Sequence, residues 1–175
     1  MVIRGLALLV LVAGCVCLVP TAPLRCQERE PEITLSLYEN PIRSTREAVI
    51  NARHTVYAVV FKFNEPTLLD ALRQALARGV TVKLVVDSVD ADRKKSLVRE
   101  AERLGAEVRR WGSGELHAKF AIVDDVWVIT GSFNWTRSAA TSNVELVAGI
   151  GDADVVARFV ELFEDLWDRA GSPRR

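Results

Sequence analysis

Between Leu116 and Glu145 the chain sets out an imidazole, an ammonium, a hydroxyl, an amide and carboxylates at short intervals. They are His117, Lys119, Asp124, Gly131-Ser132, Asn134 and Glu145. His117 and Lys119 stand two residues apart, so on a strand they project to the same side. An imidazole beside an ammonium is unusual as core, because burying an unpartnered lysine is strongly unfavourable. The Gly-Ser-x-Asn run adds a hydroxyl, an amide and a glycine-permitted tight backbone. Together these groups suit a bound phosphate: Lys119 gives a point charge, while Ser132 and Asn134 give neutral donors. His117 is the side chain here able to serve as nucleophile or general acid near neutral pH. Glu145 is suited to hold that imidazole in one tautomer. No His/Cys/Asp cluster has metal-ligand spacing, so chemistry without a metal or cofactor is expected.

The elements that must position these residues follow from periodicity. Ile33 to Tyr38 reads as a short strand. Pro41 opens a helical segment over Ser44 to Arg53. Thr55 to Phe63 is nearly all apolar, like a strand buried on both faces. Glu65-Pro66 starts a helix that runs through Arg78 and stops at Gly79. Val80 to Val86 is a strand, Asp90 to Leu104 a charged amphipathic helix, and Glu107 to Trp111 another strand. Ala118 to Val123 and Val126 to Thr130 read as a hairpin turning at Asp124-Asp125. Asn143 to Ile150 and Asp152 to Arg169 close the chain as strand and helix, with Asp152 as N-cap. The expected fold class is α/β, a mixed β-sheet flanked by helices on both faces.

Residues 1–26 are a separate object. They hold all three cysteines and no Asp or Glu. Arg4 precedes an apolar run from Gly5 to Val19, shorter than the roughly 20 residues a membrane span needs. A signal peptide fits this pattern. A lipoprotein anchor at Cys15 and an uncleaved membrane anchor are the other readings. All three place the domain outside the cytoplasm, periplasmic or on a membrane surface. Residues 27–32 read as a linker, 33–170 as the catalytic domain and 171–175 as a frayed tail.

Charge and counts narrow the rest. The 175 residues carry 23 basic and 23 acidic side chains, and 49% are hydrophobic. This excludes a disordered chain and a strongly basic coat protein. Without Arg4 and Arg25, the body holds 21 basic residues against 23 acidic ones, a net of −2. An anionic substrate must therefore be drawn by a local patch. The chain has only two histidines, His54 and His117. A site needing two must use both or borrow one from another copy, and His54 reads as a surface or capping residue.

HAKFAIVD, six residues and then GSFN resembles the HKD signature of the phospholipase D superfamily, His-x-Lys-x4-Asp-x6-Gly-Ser-x-Asn. His117, Lys119, Asp124, Gly131, Ser132 and Asn134 fill every fixed position. The single-motif form, with GSFNWT and a nearby Asn-x-Glu, is most similar to the Nuc-type endonucleases and their mitochondrial relatives. The resemblance implies a phospholipase D-like fold and a homodimer in which two motifs face each other. It implies His117 as nucleophile, forming a phosphohistidine, and the partner's His117 as general acid. Lys119, Asn134 and Ser132 would bind phosphate, Glu145 would orient His117, and Asp124 would brace the fold with Gly131.

The substrate groove is less defined. Lys62, interrupting the run Val59 to Phe63, is a candidate for a strand end facing the cleft. Arg109, Arg110 and Trp135 are further candidates, the last for stacking a base. Arg93, Lys94 and Lys95 read first as a solvated helix face and second as part of a nucleic-acid groove. Nucleic acid is the expected partner, with cleavage of DNA or RNA the expected activity. A phospholipid membrane and phospholipase D action on headgroups form the alternative. A phosphate-binding module without turnover is the third reading.

Overall fold

The computed structural model describes residues 31–35 and 40–171. The expectations for the signal or anchor segment 1–26, for most of the linker, and for 172–175 lie outside the described residues. One seven-stranded sheet forms the domain. Its strands are β1 Glu32–Leu35, β2 Thr55–Val60, β3 Thr81–Asp87, β4 Glu107–Trp111, β5 Phe120–Val123, β6 Trp127–Gly131 and β7 Leu146–Ile150, in the order β1-β7-β6-β5-β2-β3-β4. β2, β3 and β4 run parallel, and all other pairings are antiparallel. The sheet is mixed, as expected.

The helices are α1 Pro41–Asn51, α2 Pro66–Ala77, α3 Ser88–Ala91, α4 Val98–Leu104, α5 Arg137–Thr141 and α6 Ala153–Arg169. On one face Leu68 and Leu72 of α2 pack with Val49 of α1 and Val98 and Ala101 of α4 against Val56, Leu84 and Val108 of the sheet. On the other face Val156 and Phe163 of α6 cover Val59, Val85, Ile122 and Val128. Each large apolar side chain so buried contributes about 1.5–3 kcal/mol. The α6 stripe is held at its start by Asp152, whose carboxylate accepts from Val155 N–H at 3.0 Å.

Three expectations need correction. The helix expected over 90–104 is two short helices with a loop between them. Leu97 N–H donates to the Phe63 carbonyl at 2.8 Å, and this tertiary bond replaces an intrahelical one. β2 stops at Val60 and not at Phe63. β5 begins at Phe120, so His117 and Lys119 lie in the irregular segment before it and not on the strand. The turn at Asp124-Asp125 is as expected. Both residues have positive φ, 53° and 54°, the backbone that a tight two-residue hairpin turn demands.

Candidate active site

The register of the sheet decides which loops meet. β5 is antiparallel to β2, with Val59 opposite Phe120, and Thr130 of β6 is opposite Phe120 as well. Gly131 pairs with Val147. The segments after β2, before β5, after β6 and before β7 therefore emerge at one end of the sheet. They carry Phe61-Lys62, His117-Lys119, Ser132-Asn134 and Glu145. In parallel sheets, ligands bind beyond the carboxyl ends of the strands, and this end is that of β2 and β3.

His117 is held by its neighbours. Leu116 is buried, and its N–H donates to Asp87 Oδ2 at 3.2 Å. Asp87 ends β3, is only 4% exposed, and its Oδ1 accepts from Val89 and Asp90 N–H at 3.0 Å each. One buried carboxylate thus ties β3, α3 and the loop leading into His117. The exposed imidazole of His117 tilts against Phe61, ring centroids 5.0 Å apart. Lys119 Nζ donates to the His117 carbonyl at 2.7 Å and stands 5.3 Å from the same Phe61 ring. The pair converges through this bond and this ring, not through strand alternation. Burial pushes the Lys119 ammonium down, Glu145 and Glu115 pull it back up, and nearby Lys62 depresses it further. The net direction is below the ordinary lysine value.

Glu145 is 7% exposed, and Ser132 Oγ donates to its Oε2. Asn143 Nδ2 donates to Oε1 at 2.8 Å. Ser132 Oγ also accepts from Leu146 N–H at 3.1 Å. Its hydroxyl donates to Glu145, so Ser132 positions that carboxylate. Asn134 is different. Its Oδ1 is buried without a partner, and its Nδ2 makes no hydrogen bond among the described residues. A buried acceptor left open is uncommon in native folds. Gly131 has φ +149°, and a Cβ there would lie 2.1 Å from the Leu146 carbonyl oxygen. Only glycine permits this crossing of β6 and β7.

Asp124 sits at the opposite end of the sheet. Its carboxylate accepts from Arg53, His54 and Thr55 N–H at 2.7–3.1 Å. Burial works to raise its pKa, but these three donors and the charge of His54 outweigh it and hold the carboxyl below the usual range. These bonds join the β5–β6 turn to the start of β2.

Three groove candidates are placed elsewhere. Arg109 donates to the Trp167 carbonyl at 2.6 Å and stacks 4.4 Å over that indole on α6. Arg110 forms a two-pronged pair with Glu102 of α4, at 2.6 and 3.1 Å, and Glu102 holds it above its ordinary pKa despite burial. Both lie on edge strand β4, three strands from β5, and both are spent on packing. Trp135 is buried edge-on against Phe63 at 5.3 Å, and its carbonyl accepts from Asn64 and Glu65 N–H. It is a wall under the site, not a stacking platform. Lys62 is half-buried, with Nζ 4.7 Å from the Phe61 ring. Sequence reasoning missed Phe61 and Asp87. Phe61 looked like part of a strand, and Asp87 lay just beyond the expected strand Val80 to Val86; neither carries a motif.

Residues 46–167 match the family model described as cardiolipin synthase, PLD-like domain. The match spans well over half of the chain. The chain belongs to the phospholipase D-like family. Phospholipase D-like relatives include the mitochondrial cardiolipin hydrolase of Canis lupus familiaris, 35% identical over 150 residues, which are 85% of this chain and 56% of that protein. That of Chlamydomonas reinhardtii is 33% identical over 119 residues, 67% of this chain and 53% of the other. The chain spans about half the length of the curated relatives it matches. Among solved structures, Nuc from Salmonella typhimurium, described as a phospholipase D family member, superposes with TM-score 0.75 at 28% identity. It covers 83% of this chain and 100% of that one. NucT from Helicobacter pylori superposes with TM-score 0.78, covering 82% and 99%, and at 19% identity it speaks for the fold alone. The curated relatives are named mitochondrial cardiolipin hydrolase and, in Rickettsia bellii, phospholipase D.

Proposed function

We propose that this protein is a metal-independent phosphodiesterase that works through a phosphohistidine on His117 and cleaves DNA or RNA. The observation that carries the reading is the cluster at the carboxyl end of β2. There His117, a partly desolvated Lys119 and an Asn134 whose buried Oδ1 has no partner meet one buried Glu145. His117 attacks phosphorus; the N–P bond forms as the P–O bond to the leaving group breaks. The leaving oxygen takes its proton from the partner's His117. Water then attacks phosphorus, the N–P bond breaks, and the water's proton passes to the imidazole that gave one up. Lys119 and Asn134 hold the phosphate oxygens, where charge builds in the transition state. Glu145, fixed by Ser132 and Asn143, orients His117 and stabilises its charged form. The homodimer supplies the second imidazole that a chain with one suitably placed histidine lacks. Residues 1–26 carry the domain to export or to a membrane surface.

A second reading is hydrolysis of phospholipid. It is favoured by the names of the cardiolipin hydrolases, and by exposed Val144 and Leu146 on either side of Glu145. The test is cutting of single- and double-stranded DNA and RNA by the purified chain in EDTA, beside release of products from cardiolipin vesicles. The first reading expects strand cutting that survives EDTA and disappears in His117→Ala. Vesicle hydrolysis without strand cutting selects the second, and loss of all activity on chelation overturns the metal-independent mechanism.

A further inference from the structure

The chain has five lysines, Lys62, Lys83, Lys94, Lys95 and Lys119. Among the described residues every ion pair is made by an arginine and none by a lysine. Lys83 is occupied by the rings of Tyr57 and Trp167. The other four gather in one region. Lys62 and Lys119 share the Phe61 ring beside His117. Lys62 also lines a cavity of about 380 Å³ whose other charged residues are Asp90, Arg93, Lys94 and Lys95.

The backbone of that cavity wall is fixed by hydrogen bonds. Asp87 caps α3, Ser96 N–H donates to the Arg93 carbonyl at 2.9 Å, and Leu97 N–H is bound to Phe63. Arg93 is neutralised, its Nε 2.7 Å from the buried Asp90 carboxylate. Lys62, Lys94 and Lys95 are left as three unpaired positive charges facing one space, in a body whose net charge is negative. A merely solvated face would not need a pinned loop. Elsewhere several exposed arginines are paired along their helices, as Arg103 with Glu100 on α4 and Arg169 with Asp165 on α6. Compact, mobile ammonium groups on a rigid loop suit phosphate oxygens as point charges.

We infer that the cavity walled by Lys62, Lys94 and Lys95 is a second phosphate subsite, which takes a phosphate neighbouring the scissile one on a nucleic acid strand. The inference rests on the reading of His117 as a nucleic-acid phosphodiesterase centre, and adds to it a requirement for more than one phosphate. The subsite raises affinity for a polyphosphodiester without touching the reacting phosphorus.

The test compares the full chain with its Lys94→Ala/Lys95→Ala variant on a dinucleotide, which has one phosphodiester, and on an octamer. The expected result is a KM for the octamer raised about tenfold, with kcat held. The dependence of log KM on log salt becomes shallower by about two phosphate contacts over about 50 to 200 mM. The wild-type preference for octamer over dinucleotide shrinks accordingly. Equal effects on both substrates, or no change in the octamer's KM, overturn the subsite. Fluorescence anisotropy of a labelled octamer on the His117→Ala chain, with and without the lysine changes, gives a readout independent of turnover. Cardiolipin vesicles form the control arm. If the lysine changes weaken vesicle binding and leave octamer binding intact, the cavity serves a membrane and the inference fails. If the wild-type chain cuts neither oligonucleotide, the underlying reading has failed instead, and the dinucleotide result shows which.

Discussion

The two ends of the sheet are built from the same signature by opposite rules. At the Asp124 end one carboxylate takes three backbone N–H groups and locks the β5–β6 turn to the start of β2, although the buried Thr55 hydroxyl beside it has no partner. At the His117 end polar groups are left open. Asn134 Oδ1 has no partner, the Lys119 ammonium is partly stripped of water, and Lys62, Lys94 and Lys95 have no carboxylate. Cations divide the same way. Arg109 and Arg110 are consumed in packing, while the lysines around His117 are not. Within the signature itself, the Asp124 carboxylate is saturated by backbone donors while Asn134 Oδ1 is left open.

The sharpest way to break this comparison is to remove one residue at each end. His117→Ala is expected to lower turnover by on the order of 10⁴-fold or more, as loss of a nucleophile does, while leaving thermal stability within about 0.5 kcal/mol. Asp124→Ala is expected to do the reverse. It strands three backbone donors and costs on the order of 3 kcal/mol in denaturant titration, with turnover per folded molecule kept. Loss of turnover at full stability in Asp124→Ala would break the division.

pH sharpens the same point. Because the folded-state pKa of Asp124 lies below its unfolded value, its contribution is fully present above the unfolded pKa, about 3.9. It is lost as pH falls through the folded value. Urea melts of wild type and Asp124→Asn should therefore differ most near neutrality and converge in acid; a constant gap would contradict the assignment.

A smaller effect is expected at the β4 edge. Arg110→Ala leaves Glu102 without its pair and should cost about 1–2 kcal/mol, because the guanidinium is 10% exposed. It should leave the salt dependence of nucleic acid binding unchanged, in contrast to the lysine variants. A shallower salt dependence in Arg110→Ala would place β4 in the groove after all.

Much of this was legible in the sequence. The fixed intervals from His117 to Asn134, the glycine stops and the Asp124-Asp125 turn are local signals, and the strands and long helices lie within a few residues of where periodicity puts them. What was not legible depends on distant partners. The helical pattern of 90–104 held no sign that Phe63 would take the Leu97 N–H and open a loop there. Arg109, Arg110 and Trp135 were attractive by residue type and nearness in sequence. Only the sheet order shows β4 at the far edge, and only the packing shows Trp135 under the site. Conversely, Phe61 and Asp87 gain their roles from neighbours 56 and 29 residues away, His117 and Leu116.

The central claim is that His117 becomes covalently phosphorylated without a metal. Rapid acid-free quenching of the chain with end-labelled oligonucleotide in EDTA, followed by peptide mass spectrometry, tests it directly. The account predicts an acid-labile, alkali-stable phosphoramidate adduct on the peptide containing His117, carrying the oligonucleotide fragment still esterified to phosphorus, and absent from His117→Ala. Steady turnover in EDTA with no adduct at His117, or an adduct on another residue, would contradict it.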